Sequence, residues 1–182
     1  MKSNTPLKPV SSKIVYQNPW IRVREDYTID MEGQKGIYGI MESRDSVMIV
    51  TINPLKEIFL INNFSYPAQA WSWELPGGGD DNEDAITASK RELFEETGII
   101  AKKCEAIGKT RVCNGLMTEK TITIIATDLS YNERPKADDS NLIADGRFFT
   151  LDQIYNMTKN GQINDNQSIT SLFLAEQWLK DN

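Results

Sequence analysis

Short β-branched runs and alternating apolar positions fill the first third of the chain. Between Lys13 and Phe64 this pattern predicts four or five strands, separated by turn signals at Glu32-Gly33 and Asn53-Pro54. The runs 47–52 and 58–61 contain few polar residues. We therefore expect these two runs to be buried strands.

The pattern changes at the tryptophan-rich segment that begins at Trp71. A strand there leads into three consecutive glycines, an acidic segment and a helical pattern that stops at Thr97-Gly98, where a glycine is the expected helix end. Interleaved strands and helices without internal repeats predict an α/β fold with a mixed sheet. The later predicted elements are strands at 99–110, 118–128 and 148–149, a helix at 151–160, and a terminal helix at 168–180 with Ile169, Leu172, Phe173 and Leu179 on its inner side.

Length and composition narrow the functional classes. A chain of 182 residues has room for one sizeable core, and its net charge of -6 argues against binding to DNA or long RNA. It contains no histidine, which excludes Cys/His zinc sites and a Ser-His-Asp triad, and Cys104 and Cys113 lack metal-ligand spacing. With no apolar run long enough for a membrane span, we expect a soluble, cytoplasmic protein.

Three carboxylates share one face of the predicted helix at 92–96. Glu92, Glu95 and Glu96 stand at i, i+3 and i+4, where each like-charge pair costs about 0.2–0.5 kcal/mol. One interpretation is a solvated acidic face that Lys90 and Arg91 compensate. The other is a site for a hard cation, Mg²⁺ or Mn²⁺, which prefers oxygen ligands.

The spacing between the glycines and the carboxylates favours the cation site. Gly77 is followed after five residues by Glu83, and after seven more by Arg91-Glu92-Leu93-Phe94-Glu95-Glu96-Thr97-Gly98-Ile99. These residues match all nine specified positions of the Nudix box over 23 residues. The chain therefore resembles the Nudix hydrolase family.

The resemblance implies an α/β/α sandwich in which the loop and helix hold the metal. By position in the box, Glu92, Glu95 and Glu96 are the expected metal ligands, together with a backbone carbonyl at Gly77. Glu83 is expected to pair with Arg91 and brace the loop, because an Arg-carboxylate bond can fix a loop on a helix.

Three further segments resemble the ADP-ribose pyrophosphatase subgroup: 18–25, 73–78 and 161–165. This resemblance implies a small antiparallel β element at residues 1–42, which forms a homodimer and completes the nucleotide pocket, and a Nudix hydrolase domain at residues 43–182. The chain departs from the subgroup at Asn114, where a proline is usual, and at 63–66, where an arginine is usual.

Several residues are candidates for substrate binding and for the catalytic base. Trp20, Arg111, Glu119 and Gly78 are the expected substrate-binding residues, and Tyr27, Tyr66 and Trp71 are further aromatics that could stack on a base. For each aromatic the alternative is ordinary packing. The subgroup's catalytic glutamate has no clear equivalent, and Asp138, Asp139 or Glu133 could take its place.

These residues predict metal-assisted hydrolysis of the diphosphate in a nucleoside-diphosphate compound. The expected substrate is ADP-ribose or another ADP-sugar, cleaved to AMP and a sugar phosphate. One alternative is a house-cleaning nucleoside triphosphate pyrophosphatase, which usually has fewer strands before the box. Another is a non-catalytic nucleotide sensor, which usually lacks some of the box carboxylates.

Overall fold

The computed structural model describes residues 5–133 and 142–182, which form ten strands and three helices. The chain divides into two compact units. The first comprises the chain up to Arg44 and the segment Arg111–Lys120, and the second comprises Asp45–Thr110 and Thr121–Asn182. The predicted domain boundary between residues 42 and 43 stays a prediction. None of the helices in the described ranges is long and apolar enough to cross a membrane.

The first unit is built on an antiparallel sheet of three strands, in the order β1-β2-β3. Gly33 supplies the positive φ of 85° that the turn between β2 and β3 requires. Many of its large apolar side chains remain exposed, because a single small sheet cannot cover both of its own faces. The expected N-terminal antiparallel element is confirmed, with strands β1 (Leu7–Gln17), β2 (Arg22–Asp30) and β3 (Lys35–Glu42).

The second unit contains two sheets, in the orders β7-β4-β9-β8 and β10-β5-β6. Strand β4 pairs in parallel with β9 and antiparallel with β7, so the predicted mixed sheet is confirmed. Strand β8 ends, and β9 begins, in the segment assigned to the first unit. The strands are β4 (Ser46–Thr51), β5 (Ile58–Ser65), β6 (Ala70–Glu74), β7 (Gly77–Gly79), β8 (Ile99–Arg111), β9 (Lys120–Tyr131) and β10 (Ile143–Phe149).

Two apolar clusters lie on opposite faces of the sheet strand β4. Its side chains alternate, so Val47 and Ile49 pack with Leu93 of the first helix, whereas Met48 and Val50 belong to the cluster of the two later helices. This arrangement confirms the α/β/α sandwich. The helices are α1 (Ala85–Thr97), α2 (Leu151–Lys159) and α3 (Asn166–Asp181).

The predicted inner face of the terminal helix is wrong at two positions. Ile169 and Phe173 are 37% and 62% exposed. Ser168 and Ser171 are buried instead, because their hydroxyl groups bond to the backbone N–H of Leu75 at 3.0 Å and to the Thr123 hydroxyl at 2.9 Å. A hydrophobicity pattern treats serine as a surface residue, so it places the buried face incorrectly. Of the other two predicted inner residues, Leu172 is buried and Leu179 is partly buried.

Candidate active site

The three glycines before α1 form strand β7, which the sequence pattern predicts only as a loop. Gly77, Gly78 and Gly79 pair with Met48, Val47 and Ser46 of β4. A Cβ at Gly77 would lie 2.3 Å from the Val47 carbonyl oxygen, so only glycine allows β7 to lie this close to β4.

Strand β7 also lies directly against the carboxylates of α1. The Gly77 N–H donates to Glu96 Oε2 at 2.9 Å. A Cβ at Gly78 would lie 2.5 Å from the carboxylate carbon of Glu92. The sequence spacing between the glycines and the helix thus becomes a close approach of backbone to two of the predicted metal ligands.

Arg91 holds the parts of this site together. Its Nε donates to Glu83 Oε2 at 2.9 Å, which is the pairing that the family resemblance implies. Its Nη1 bonds to Glu92 Oε1 at 2.8 Å and to Glu95 Oε2 at 3.3 Å. Its Nη2 donates to the Gly79 carbonyl at 3.1 Å. A guanidinium presents several donors in one plane, so a single side chain can tie the strand, the loop and the helix together.

Burial and charge act against each other within this cluster. Burial raises the pKa of Glu92; the bond from Arg91 opposes the shift, and the charges of Glu95 and Asp81 add to it. For Arg91, burial opposes the charged form, but the bonds to Glu83 and Glu92 outweigh it and raise its pKa. Arg91 therefore balances part of the negative charge of Glu92. A bound cation would stabilise the charged carboxylate further.

The residues of this cluster fit a divalent cation. Glu92, Glu95 and Glu96 supply only oxygen ligands, which suit a hard ion, and the adjoining backbone carries no Cβ that would exclude one. In the described residues, no three acidic, cysteine or histidine side chains already converge closely enough to hold a metal. Arg91 engages Glu92 and Glu95, and the Gly77 N–H engages Glu96. Metal binding therefore requires these side chains to exchange partners.

Three predicted substrate residues lie in the first unit, whereas Gly78 lies in the second. Trp20 is 75% exposed and lines a cavity of about 260 Å³ together with Arg22 and Arg44. The side chain of Asn18 fixes the backbone here, because it accepts from the Trp20 N–H at 2.9 Å. Elsewhere in this unit, Glu119 accepts from the Ser43 hydroxyl at 3.2 Å, and Arg111 is exposed.

The remaining candidates have different local environments. Tyr27 accepts a hydrogen bond from Lys13 at 3.2 Å, and Trp71 packs its ring against Phe64 at 5.3 Å. Tyr66 is 77% exposed. Among the possible bases, Glu133 is exposed, and Asp138 and Asp139 lie outside the described residues.

Strand β10 contributes a part of the site that the sequence did not indicate. A cavity of about 170 Å³ brings Glu96 and Thr97 together with Phe59, Ile61 and the start of β10, including Gly146. The strand follows α1 by about fifty residues and carries no recognisable motif. Only its pairing with β5, where Gly146 lies opposite Ile61, brings it to the carboxylates.

Comparison with known proteins finds relatives of this chain. The chain is 27% identical over 161 residues to the ADP compounds hydrolase NudE of Escherichia coli, and the match covers 84% of each protein. It is 46% identical over 46 residues to an RNA pyrophosphohydrolase of Dinoroseobacter shibae, which covers 25% of this chain and 29% of that protein. A crystal structure of an ADP compounds hydrolase superposes with a TM-score of 0.87 at 22% identity, covering 100% of this chain and 98% of the other. This likeness shows the fold.

Two family models match adjoining parts of the sequence. A nucleoside diphosphate sugar hydrolase N-terminal domain matches residues 8–41, and a NUDIX domain matches residues 42–172. The second match covers most of the chain, including β7 and α1. The predicted recognition and the predicted enzyme class are therefore confirmed, and the chain belongs to the Nudix family of hydrolases, which require a divalent metal ion.

Proposed function

We propose that the protein is a Mg²⁺- or Mn²⁺-dependent pyrophosphohydrolase that cleaves ADP-linked compounds, with ADP-ribose as the expected substrate and AMP and a sugar phosphate as products. One observation carries the proposal: in an intact Nudix box, the Gly78 backbone lies against the Glu92 carboxylate with no room for a side chain. The full-length similarity to a hydrolase of ADP compounds supports the choice of substrate.

The metal would be held by Glu92, Glu95 and Glu96, with a backbone carbonyl at Gly77. When bound, it supplies positive charge for the diphosphate and lowers the pKa of a coordinated water. The choice of Mg²⁺ or Mn²⁺ rests on the ligand set, because these ions prefer carboxylate and carbonyl oxygens and keep several waters.

The protein's own residues position these ligands. Arg91 remains charged and holds Glu83 and the Gly79 carbonyl, so β7 is fixed relative to α1 when Glu92 and Glu95 turn towards a cation. Since catalysis depends on ligand geometry to within about 1 Å, this bracing is part of the catalytic apparatus. A carboxylate takes the proton from the attacking water; Asp138, Asp139 and Glu133 remain the predicted candidates.

Trp20 of the first unit is proposed as a nucleotide contact. Residues 8–41 match the N-terminal domain of nucleoside diphosphate sugar hydrolases. Trp20 projects an exposed indole beside Arg22 and Arg44, which suits stacking on an adenine base next to an anionic group. Arg111, Glu119 and Gly78 are proposed as further substrate contacts.

We also propose that the protein is a cytoplasmic homodimer that does not bind nucleic acid. The sheet of the first unit leaves several large apolar side chains exposed, and a second copy would cover them. The net charge of -6 disfavours long polyanions. The exposed apolar residues of this sheet include Val10, Ile14, Val15, Tyr16, Ile37 and Tyr38.

A substrate screen tests this function. ADP-ribose, other nucleotide sugars, dinucleotides, nucleoside triphosphates and 5′-triphosphorylated RNA would be compared with Mg²⁺ and Mn²⁺, and products identified by chromatography. We expect the highest kcat/KM for an ADP-linked sugar. A tenfold preference for a triphosphate, about 1.4 kcal/mol in transition-state stabilisation, would favour the house-cleaning alternative. Binding without hydrolysis of any compound would favour the sensor.

A further inference from the structure

A second cavity lies on the other face of the β10-β5-β6 sheet. It measures about 410 Å³, within the size range of small-molecule sites. Strands β6 and β10 form one wall, and α2 with the residues that follow it forms the other. The residues that line it include Trp73, Arg147, Phe149, Asn156, Met157 and Gln162.

Because successive side chains of a strand point to opposite faces of the sheet, this cavity lies on the other side of the sheet from the cavity that contains Glu96. On β5, Ile61 lines the small cavity that contains Glu96, whereas Leu60 belongs to the apolar cluster that includes Trp73 and Phe149. On β10, Gly146 lines the cavity that contains Glu96, and Arg147 lines the second cavity. A ligand in the second cavity would therefore not occupy the proposed catalytic site.

One wall of the cavity is a platform formed by Arg147 and Trp73. The Arg147 guanidinium lies 5.3 Å from the centre of the Trp73 ring, and Phe149 packs edge-on against the same ring at 4.9 Å. Asp145 forms an ion pair with Arg147 and balances its charge. A guanidinium beside an indole ring favours a planar π system, and the balanced charge favours a neutral ligand over a phosphate.

The opposite edge of the cavity carries two carboxamides. The side chains of Asn156 and Gln162 are exposed, and within the described residues no protein group bonds to them, so they can bind a ligand in place of water. The Gln162 carbonyl accepts from the Trp73 N–H at 2.9 Å, which fixes Gln162 beside the platform. Gln153, by contrast, uses its carboxamide to cap α2 at Thr150. Each unpaired carboxamide offers one donor edge and one acceptor, which matches the adjacent acceptor and amino donor of adenine.

We propose that this cavity is a second ligand site, which binds an adenine-type base: the base stacks on Arg147 and Trp73, and Asn156 and Gln162 bind its edge. The buried Met157 closes the bottom of the site with apolar surface. Because this site recognises the base and not a diphosphate, binding requires neither a metal nor hydrolysis.

Adenosine is the probe, since it has the base and no phosphate. Because the Trp20 pocket proposed in the first unit would also bind adenine, binding to the full chain in excess chelator would be measured by calorimetry for Trp20→Ala, alone and combined with Asn156→Leu or Arg147→Met. We expect each added substitution to raise the Kd at least tenfold, about 1.4 kcal/mol. Gln177→Leu, the same kind of change at an exposed position on α3, should leave the Kd unchanged. In the Trp20→Ala background, Trp73→Phe should remove the change in tryptophan fluorescence that adenosine causes.

Trp20→Ala separates this site from the nucleotide pocket proposed in the first unit. Adenosine binding that Trp20→Ala retains and that the added Asn156→Leu removes supports the second site. Absence of adenosine binding to Trp20→Ala, or binding that the added Asn156→Leu leaves unchanged, overturns it. Neither result depends on hydrolysis, so the proposed function can fail or hold independently.

Discussion

Adding one methyl group at Gly78 tests whether the approach of β7 to α1 forms the catalytic site. In Gly78→Ala, the new Cβ would lie 2.5 Å from the Glu92 carboxylate carbon and from its Oε1. Ordinary van der Waals contact begins near 3.4 Å, so the carboxylate must retreat by about 0.9 Å. A displacement of about 1 Å at a catalytic centre costs about 10²-fold in rate. We expect kcat to fall by about that factor.

The same substitution should have little effect on stability. The group that the methyl displaces is the end of a flexible side chain, and its bond to Arg91 is partly exposed, so its loss costs about 1 kcal/mol or less. For a chain of this length that corresponds to a fall in Tm of about 2–4 °C. Gly78→Ala is therefore predicted to lower the activity strongly and the stability only slightly.

The neighbouring glycines supply matched controls. A Cβ at Gly79 would have no heavy atom closer than 3.8 Å, so Gly79→Ala should stay within about threefold of the wild-type kcat, given that ordinary contacts cost little. A Cβ at Gly77 would meet the Val47 carbonyl at 2.3 Å, so Gly77→Ala should lower the free energy of unfolding by about 1–3 kcal/mol.

The assay combines AMP release from ADP-ribose, followed by chromatography at saturating Mg²⁺, with urea unfolding of each variant. If ADP-ribose proves a poor substrate, the best compound of the screen replaces it. Gly78→Ala with at least half of the wild-type kcat would refute the reasoning. So would a loss of activity that merely follows a loss of folded protein.

Four further predictions concern the metal, the brace, a buried acid and the assembly. Hydrolysis should stop in excess chelator, and Glu95→Gln or Glu96→Gln should remove most turnover while leaving the unfolding curve unchanged; undiminished activity in chelator would contradict the metal site. Arg91→Lys should lower kcat at least tenfold (about 1.4 kcal/mol), because an ammonium cannot replace the planar set of donors; wild-type kinetics would refute the brace. Burial raises the pKa of Glu74, and the bond from Asn63 only partly offsets this shift, so stability should fall as the pH rises through that higher pKa. Glu74→Gln should accordingly be more stable than the wild type at pH 8 but not below pH 4, as measured by urea unfolding. Sedimentation should show a dimer at micromolar concentration, and deletion of the residues before Met41 should produce a monomer with impaired hydrolysis; a fully active monomer would contradict the dimer.

The local pattern of apolar and polar residues predicts most strands and helices, because the apolar runs of the strands and the helix end of α1 are recognisable in the sequence. The run from Val47 to Ile52 has the pattern of a buried strand, and β4 with its bridge at Ile52 occupies these positions. Helix α1 ends at Gly98, whose φ of 73° needs a left-handed conformation, as the glycine indicates. The pattern fails at β7, because three glycines have no side chains whose periodicity could be detected. That strand exists only through its pairing with β4.

For the active site, the sequence by itself determined which groups are close along one helix and one loop. The spacing of Arg91 and the three glutamates places them together on one helix, because a helix repeats every 3.6 residues, and the resemblance to the Nudix box adds Gly77 and Glu83. Local spacing and this resemblance are therefore enough to indicate the chemistry of these positions.

Tertiary structure decided what depends on pairing between distant segments. It brought β10 to Glu96 through its register with β5, buried Ser168 and Ser171 on α3, and created the cavity of Trp73 and Arg147. The local periodicity of apolar residues encodes none of these three features. Each follows from which strand pairs with which, and that choice is set by the burial of the two apolar clusters as a whole.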